Sequence, residues 1–401
     1  MWGWLSPKTI ILIGGCADFL VSAITPIWTN QSGQSDLGKA VWTNGIITLV
    51  NDRCSADCSA NPQLRSDMGR QEHGGNADKA AKKFGFAPQD MLDLSTGISP
   101  LPYPAPDIPA AAWLRLPGDS ELQACLQAAR RFYHVLPRQA VMAGAGTQSL
   151  LQLIPTLSAP PGEVWMAMPG YNEHGPAWQR AGHQLSTASS LPQSAQSAVM
   201  IMPNNPTGDY DLAVMRSVAD ATLDRGGWLI IDGAFARPDD TELITALSGH
   251  ENIVHLRSFG KFFGMAGLRL GFAIGAADVI ERLTIAAGPW AVNTAALTIA
   301  TQALADTEWQ TRHLAFLDKQ SDRLAKLLTG HGLTIRGRTN LFVTITLSQA
   351  AALHSHLARH RIWTRHFTAW PDLLRFGLPA TDAEFEQLAE CLENWRQKTN
   401  Q

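Results

Sequence analysis

The sequence predicts an α/β protein, with a large domain built on a mostly parallel β-sheet and a smaller α+β domain. Two observations predict this fold. Short apolar runs alternate with helical patterns between residues 140 and 274, which is typical of parallel sheets covered by helices on both faces. Polar and small residues cluster just after these runs, and ligands bind at that carboxyl edge in open α/β sheets.

The composition is that of a globular enzyme. The chain of 401 residues can bury a sizeable core and corresponds to two or three domains of about 150 residues. A charged content of 17% is ordinary for such a protein. The formal charge of −3 and the lack of a basic stripe argue against a nucleic-acid-binding protein. The five cysteines match no zinc pattern, although Cys54 and Cys58 have a C-x3-C spacing. Their odd number fits a reducing, cytoplasmic compartment.

Residues 1–67 differ from the rest of the chain. Thr9–Thr25 is short and is interrupted by Asp18, so we expect no membrane span. Thr29–Asp67 is rich in Ser, Asn, Gln, Gly and Asp, with little periodicity. We therefore expect a poorly ordered leader. Met68 is a candidate for the authentic start, which would make the leader an over-extended reading frame rather than a native segment.

Order is predicted to begin near His73. A short helix is expected at Asp78–Phe84, and Leu92–Pro100 reads as a strand that runs into a Pro-rich loop. A helix is expected over Ser120–His134, with Ser120 as its N-cap.

The alternation of strands and helices then begins. Strands are predicted at Ala140–Ala143, Val164–Met168, Ala198–Met202, Trp228–Asp232, Ile253–Leu256 and Leu268–Ile274, with helices at Gln148–Leu157 and Leu212–Arg225. The remainder is predicted as helix over Asp278–Leu328, β-structure over Leu333–Leu347, helix at His354–His360, strand at Leu373–Leu378 and helix at Glu384–Arg396. We expect a large domain over residues 111–289 and a small domain formed by residues 68–110 and 290–401.

The stretch from Ser258 to Arg269 carries the strongest chemical signal. It places Lys261 three residues after a serine and eight before an arginine, among small residues that allow a close backbone approach. A lysine with apolar neighbours has a lowered pKa and can form a Schiff base with a carbonyl. Ser258 and Arg269 suit a phosphate. A carbonyl beside a phosphate indicates pyridoxal 5'-phosphate; the alternative is a glycine-rich loop with a surface lysine.

Two further side chains follow strands in the same sheet. Asp232 ends a buried strand, where its carboxylate could pair with a pyridinium nitrogen and strengthen the cofactor as an electron sink. Asn205 lies in a Pro-Asn-Asn-Pro-Thr-Gly segment and could donate to the 3'-oxygen of the ring. A strand-end or capping aspartate and an ordinary turn are the alternatives.

Three more residues complete the candidate cofactor site. Gly146 and Thr147 precede a predicted helix, so their N–H groups could hold a phosphate at its N-terminus. Tyr171 follows Pro-Gly and could stack on the ring. A strand–helix turn without a ligand, and an aromatic residue of the core or rim, remain open.

In this order, the residues resemble the fold-type I, aspartate-aminotransferase-like pyridoxal-phosphate enzymes over residues 70–400. Within that group, His73–Asn76 and Asp93–Pro100 are similar to the L-threonine-O-3-phosphate decarboxylases of cobalamin synthesis, and histidinol-phosphate aminotransferases are near relatives. The resemblance implies that Lys261 holds the cofactor as a Schiff base, that Asp232 pairs with the ring nitrogen and that Asn205 meets the 3'-oxygen.

The resemblance also assigns the two anions. It implies that the cofactor phosphate is held by Ser258, Arg269, Gly146 and Thr147. For the substrate it implies that Arg375 binds the carboxylate, with Arg365 nearby; a structural ion pair is the alternative for each. His73 is expected to reach the substrate phosphate, or to be a loop histidine without a role. The chain departs from the group's Asp-Glu-Ala-Tyr pattern at Phe235, which cannot donate to the 3'-oxygen.

The implied activity is decarboxylation of L-threonine O-3-phosphate to (R)-1-amino-2-propanol O-2-phosphate. An aminotransferase acting on a phosphorylated amino acid such as histidinol phosphate is the alternative, because both reactions use the same residues. A catalytically inactive regulator is a third, against which Lys261 and Asp232 argue. We expect a homodimer with a small phosphorylated amino acid as substrate, and no metal, nucleic acid or membrane partner.

Overall fold

The computed structural model describes residues 74–158, 160–246 and 250–399, together with four short strands within the first 49 residues. These strands form two antiparallel pairs, β1 (Gly3–Ser6) with β2 (Thr9–Ile11) and β3 (Ala40–Thr43) with β4 (Ile46–Leu49). The rest of the predicted leader lies outside the described residues, and so does His73. That residues 1–67 are an over-extended reading frame rather than a native segment stays a prediction. None of the described helices is long and apolar enough to cross a membrane.

Residues 72–401 form one compact unit that contains a seven-stranded sheet. A short strand, β5 (Leu92–Asp93), precedes this sheet in the chain. The strands of the sheet are β6 (Gln139–Gly144), β7 (Glu163–Met166), β8 (Gln184–Ser186), β9 (Ser197–Ile201), β10 (Leu229–Asp232), β11 (Ile253–Ser258) and β12 (Gly271–Ala276). Their spatial order is β6-β12-β11-β10-β9-β7-β8.

The sheet is parallel except at β12, which is antiparallel to both β11 and β6. The predicted mostly parallel sheet is therefore confirmed. The predicted strand Leu268–Ile274 is wrong at its start, because Ala266–Leu268 is a 3-10 turn and the strand begins at Gly271. Arg269 ends that turn with a φ of 57°, a left-handed conformation that no strand can contain.

Helices cover the sheet and form much of the C-terminal third. They are α1 (Ala77–Phe84), α2 (Ala111–Leu114), α3 (Asp119–Phe132), α4 (Thr147–Leu157), α5 (His174–Arg180), α6 (Leu212–Asp224), α7 (Thr241–Ala246), α8 (Phe259–Phe262), α9 (Ala277–Ala287), α10 (Thr294–Ala305), α11 (Thr307–Gly330), α12 (Ala350–Arg359) and α13 (Asp382–Thr399). Short elements such as α5 and β8 were not predicted, because they contain too few residues to show a period.

Ser120 is not the N-cap of α3, contrary to the prediction. The cap is Gly118, whose amide donates to Oε2 of Glu121 at 3.1 Å. The carboxylate of Glu121, the third residue of the helix, thus binds the amide of the cap residue. Ser120 is the second residue of the helix and lies inside its first turn.

A second sheet lies nearer the C-terminus and is wholly antiparallel. Its order is β13-β14-β17-β16. The strands of this region are β13 (Thr334–Arg338), β14 (Phe342–Thr346), β15 (Ile362–Trp363), β16 (Arg365–Phe367) and β17 (Trp370–Gly377). Strand β15 pairs instead with β5, in parallel. The division into a large domain at 111–289 and a small domain at 68–110 and 290–401 stays a prediction.

The turn that carries Asn205 packs directly on the second sheet. Thr344 donates its hydroxyl to the carbonyl of Pro206 at 2.6 Å. Arg336 makes two hydrogen bonds of 2.9 Å to the carboxylate of Asp209. A β-carbon at Gly337 would lie 2.0 Å from the carbonyl oxygen of Thr207. The two sheets are therefore joined at the turn by a backbone contact that only glycine allows.

We expect Gly337→Ala to lower the free energy of unfolding by about 1–3 kcal/mol, because the added methyl group overpacks against Thr207. Chemical denaturation of the purified variant measures the change. Gly330→Ala is the matched control, since a β-carbon there meets nothing within 4 Å. Equal stability of the two variants would show that this contact is not as close as described.

Candidate active site

A cavity of about 170 Å³ opens at the carboxyl edge of the seven-stranded sheet. It brings together the eight residues predicted to bind the cofactor, which are Gly146, Thr147, Tyr171, Asn205, Asp232, Ser258, Lys261 and Arg269. Side chains that the sequence did not single out also line it, among them Gln148, Ile201 and Leu270. The eight residues meet because most follow strands that run in the same direction.

Lys261 lies on the one-turn helix α8, directly after β11. Its Nζ atom is 3.4 Å from the carbonyl oxygen of Thr96 and 5.0 Å from the centre of the Phe235 ring. Burial lowers the pKa of the amine to about 8, with help from Arg375, while Asp232 acts in the opposite direction. About a tenth of the amine is therefore unprotonated at pH 7 and about half at pH 8, and this is the form that acts as a nucleophile.

Asp232 ends β10 and is almost completely buried. Its Oδ2 atom is 2.9 Å from Nε2 of His174, and its Oδ1 accepts the amide of Ala234 at 3.0 Å. Both contacts fix the orientation of the carboxylate at the edge of the cavity. His174 was not predicted, because it lies 58 residues from Asp232 and no local pattern links the two.

One wall of the cavity has the donors that bind an anion. Gly146 caps helix α4 with a φ of 79°, and a β-carbon there would lie 2.8 Å from a guanidinium nitrogen of Arg269. A β-carbon at Gly271 would lie 2.5 Å from the amide nitrogen of Thr147. Glycine at both positions lets a helix N-terminus, a guanidinium and the Ser258 hydroxyl share one small space.

Pyridoxal phosphate fits these residues. The wall just described supplies cationic and neutral donors for a phosphate, Asp232 supplies a buried anion, and Lys261 supplies an amine with a lowered pKa. The three chemistries line one cavity, as a ligand with an aldehyde, a basic ring and a phosphate requires.

Tyr171 is held at the cavity by a glutamine. Its hydroxyl donates to Oε1 of Gln148 at 3.2 Å, and the amide nitrogen of Gln148 donates to Glu173 at 3.0 Å. Burial raises the pKa of Tyr171 to about 12, with smaller contributions from Glu173 and Asp232. The ring is therefore a neutral phenol in a fixed orientation.

Arg375 contacts Asn205 through its guanidinium, and the residue is 4% exposed. Its guanidinium donates to the side-chain oxygen of Asn205 and, at 2.7 Å, to the carbonyl of Ser95, while its Nε atom has no hydrogen-bond partner among the described residues. Burial, together with the neighbouring cation Arg365, lowers the pKa of Arg375 to about 9, while Asp93 acts in the opposite direction. A buried guanidinium bound mainly to neutral oxygens favours the binding of an external anion.

The other two predicted substrate residues differ in how far the structure describes them. Arg365 lies directly opposite Arg375 in the β16–β17 pairing, with its guanidinium 5.0 Å from the ring of Phe367. The antiparallel register thus places two cations side by side. His73 lies outside the described residues.

Phe235 stands between two cations. Its ring centre lies 5.0 Å from the amine of Lys261 and 5.6 Å from the guanidinium of Arg375, and its edge packs on Phe342. Arg257, which was not predicted, holds the segment after this ring, because it donates to the carbonyls of residues 236 and 237 at 3.3 and 2.9 Å.

Comparisons with known proteins agree with this geometry. The sequence profile described as aminotransferase class I and II matches residues 112–392. A threonine-phosphate decarboxylase of Pseudomonas aeruginosa is 38% identical over 82% of this chain and 99% of its own length. A threonine-phosphate decarboxylase of a Sinorhizobium species is 36% identical over 80% of this chain and 97% of its own.

Among solved structures, the histidinol-phosphate aminotransferase of Sinorhizobium meliloti in complex with pyridoxal-5'-phosphate is similar, with a TM-score of 0.68 and 18% identity. The alignment covers 86% of this chain and 100% of that one. This likeness shows the fold. Because the family profile spans more than half of the sequence, the chain belongs to the aminotransferase class I and II family, which is pyridoxal-phosphate-dependent.

Proposed function

We propose that this protein is a pyridoxal-phosphate-dependent lyase that decarboxylates L-threonine O-3-phosphate to (R)-1-amino-2-propanol O-2-phosphate, a step of cobalamin synthesis. The observation that carries the proposal is the cavity in which the amine of Lys261, the buried carboxylate of Asp232 and the guanidinium of Arg269 meet. The choice of substrate rests on the two threonine-phosphate decarboxylases that match this chain along nearly their whole length.

Pyridoxal phosphate, when bound, supplies an electron sink for the electron pair left at the substrate's α-carbon. Asp232, held by His174, would stabilise positive charge on the ring nitrogen. The helix N-terminus at Gly146 and Thr147, together with Ser258 and Arg269, would hold the phosphate. Tyr171 would pack against the ring, and Asn205 would donate its amide hydrogens, because its oxygen is already bound to Arg375. These roles are part of the proposal.

The substrate carries two anionic groups, and the second sheet offers two arginines. We assign the carboxylate to Arg375, whose hydrogen bonds within the described chain go to two neutral oxygens, those of the Asn205 side chain and the Ser95 carbonyl. Arg365 lies directly opposite Arg375 in the strand pairing and is proposed to lie near the same substrate carboxylate. His73 is proposed to contact the substrate phosphate. Arg375 thereby sets the orientation of the carboxylate, and this orientation decides which bond at the α-carbon breaks.

Lys261 is the proposed proton donor after CO2 leaves. A general acid is most effective when its pKa lies near the working pH, and the pKa of this amine is about 8. The carbonyl of Thr96 and the ring of Phe235 hold the amine at the cavity. Lys261 could thus return a proton to the α-carbon and then displace the product amine.

An aminotransferase acting on a phosphorylated amino acid such as histidinol phosphate is the second candidate. A histidinol-phosphate aminotransferase of Rhodospirillum centenum is 31% identical over 48% of this chain, a weaker and shorter match than those to the decarboxylases. The same cavity would serve both reactions. Only the aminotransferase needs a keto-acid acceptor.

A homodimer and a cytoplasmic location are further parts of the proposal. The large apolar side chains Trp113, Leu114 and Leu116 are 64%, 86% and 61% exposed on one short segment, which favours burial against a second copy. Cys125 and Cys391 are buried as free thiols, as in proteins of reducing compartments.

Incubation of the holoenzyme with L-threonine O-3-phosphate alone is expected to release one CO2 per substrate consumed, with no effect of added 2-oxoglutarate. Release of CO2 and the formation of aminopropanol phosphate are measured together. L-threonine without the phosphate is the control and is expected to react poorly, because one anionic contact is missing. Turnover that depends on 2-oxoglutarate and leaves the carboxylate in place would favour the aminotransferase.

The rate at which the apoenzyme captures pyridoxal phosphate is expected to rise about tenfold per pH unit below pH 8 and to level off above it. The unprotonated amine is the reacting form, and the pKa of Lys261 is lowered to about 8. In Asp232→Asn the midpoint is expected to move to lower pH, because the carboxylate raises that pKa. N-acetyl-lysine serves as the reference, and Lys319→Ala as the matched variant. A midpoint near that of the reference would contradict the assignment.

A further inference from the structure

His313 reaches from the long helix α11 to the turn that carries the active-site lysine. Its ring is 2% exposed. Its Nε2 atom lies 3.0 Å from the carbonyl oxygen of Phe262 and 3.0 Å from the hydroxyl oxygen of Ser99. One imidazole nitrogen therefore touches both the residue after Lys261 and a loop that is 214 residues away from His313 in sequence.

Helix α8 has a single turn and cannot be stable by itself. Its last carbonyl groups have external donors. The amide of Ser99 donates to the carbonyl of Lys261 at 2.9 Å, and the amide of Tyr103 donates to the carbonyl of Phe263 at 2.9 Å. The carbonyl of Phe262 lies between these two and accepts from Nε2 of His313. Of the three donors to the turn, His313 is the one that uses its side chain. The turn is thus held by its neighbours.

Residues 96–103, which we call the lysine-facing loop, also touch the lysine side chain. The carbonyl oxygen of Thr96 lies 3.4 Å from Nζ of Lys261. The hydroxyl of Ser99 lies within 3.0 Å of the carbonyl of Leu101, so Ser99 shapes the loop and meets His313 at once. A shift of Ser99 would therefore move the carbonyl that faces the amine.

The protonation state of His313 follows from its partners. The carbonyl of Phe262 can only accept, so Nε2 carries the hydrogen. Within the part of the chain that the structure describes, Nδ1 is buried without a hydrogen-bond partner, which disfavours a second N–H. Burial lowers the pKa of His313 to about 4. The ring stacks on Trp309 at 4.1 Å, which fixes its plane. The imidazole is a neutral donor of fixed direction over the whole working pH range.

We propose that His313 is a positioning residue for Lys261, which caps the lysine's turn and joins it to the lysine-facing loop so that the Thr96 carbonyl stays beside the amine. This inference deepens the proposed function and rests on the role given there to Lys261. His313 is not among the residues that line the cavity. It acts through Phe262 and Ser99.

The chain offers a matched control for a buried histidine. His356 is also 2% exposed, and its Nε2 atom contacts a carbonyl, that of Cys391, at 3.1 Å. It lies on α12, away from the cavity lining. A purely structural role for His313 predicts that equivalent substitutions at the two positions have equivalent effects.

The test compares His313→Phe, His313→Gln, Ser99→Ala and His356→Phe as holoenzymes. Phenylalanine keeps the stacking on Trp309 and removes the donor, whereas the amide of glutamine can replace Nε2–H. For His313→Phe we expect a fall of about 10- to 100-fold in kcat with a change of KM below about threefold. The visible absorbance band is expected to titrate at a different pH. His313→Gln is expected to restore most of kcat, and His356→Phe to leave kcat and the titration unchanged.

Hydrogen–deuterium exchange gives a readout that does not depend on activity. Amides of residues 96–103 are expected to exchange faster in His313→Phe and in Ser99→Ala, but at the native rate in His356→Phe. Ser99→Ala removes the same link by a small substitution, so it tests the proposal even if His313→Phe misfolds. In the variant that carries both His313→Phe and Ser99→Ala, the two effects on kcat are expected not to add. Native exchange in the loop, or additive effects, would overturn the proposal.

The exchange measurement also separates this inference from the proposed function. Suppose that residues 96–103 exchange faster in His313→Phe, but that Lys261→Ala turns over at the native rate. This outcome would reject the proposed role of Lys261 and keep the structural link between His313 and the loop. Native exchange in His313→Phe, with turnover lost in Lys261→Ala, would reject the positioning role alone.

Discussion

The site depends on the electrostatic balance at Lys261. Burial and the positive charge of Arg375 lower the pKa of its amine, while the carboxylate of Asp232 raises it. Without the burial the amine would be an ordinary ammonium ion, and without the carboxylate a buried cation would be too costly to keep. The fold supplies both at once, because β10 and β11 are parallel neighbours that end beside each other.

The architecture explains how so many polar groups share a small cavity. Parallel strands deliver Asp232 and Ser258 to one edge, and the helix that follows β6 adds its N-terminal amides. The antiparallel strand β12 starts at this edge, so Arg269, two residues before it, also faces the cavity. The turn that holds Asn205 packs on the second sheet and brings it to Arg375. The predicted cofactor site and the proposed substrate residue Arg375 are thus linked through the side chain of Asn205.

Much of the cavity could be predicted from the sequence, because most of the predicted residues end or follow a strand and strand ends are visible as local patterns. His174, Gln148, Arg257 and His313 could not be predicted in the same way. Each acts through contacts with residues distant in sequence, such as the 58 residues between His174 and Asp232. No periodicity or motif encodes such a contact. The start of β12 was also missed, since the apolar run does not show that Arg269 has a left-handed backbone conformation.

The central claim is that the amine of Lys261 is the group that bonds to the cofactor. Reduction of the holoenzyme with borohydride, followed by peptide mass spectrometry, tests it directly, because reduction makes the bond to the cofactor permanent. The account predicts a single phosphopyridoxyl group on the peptide that contains Lys261. A label on another lysine, or an unlabelled protein from a preparation that contains the cofactor, would contradict it.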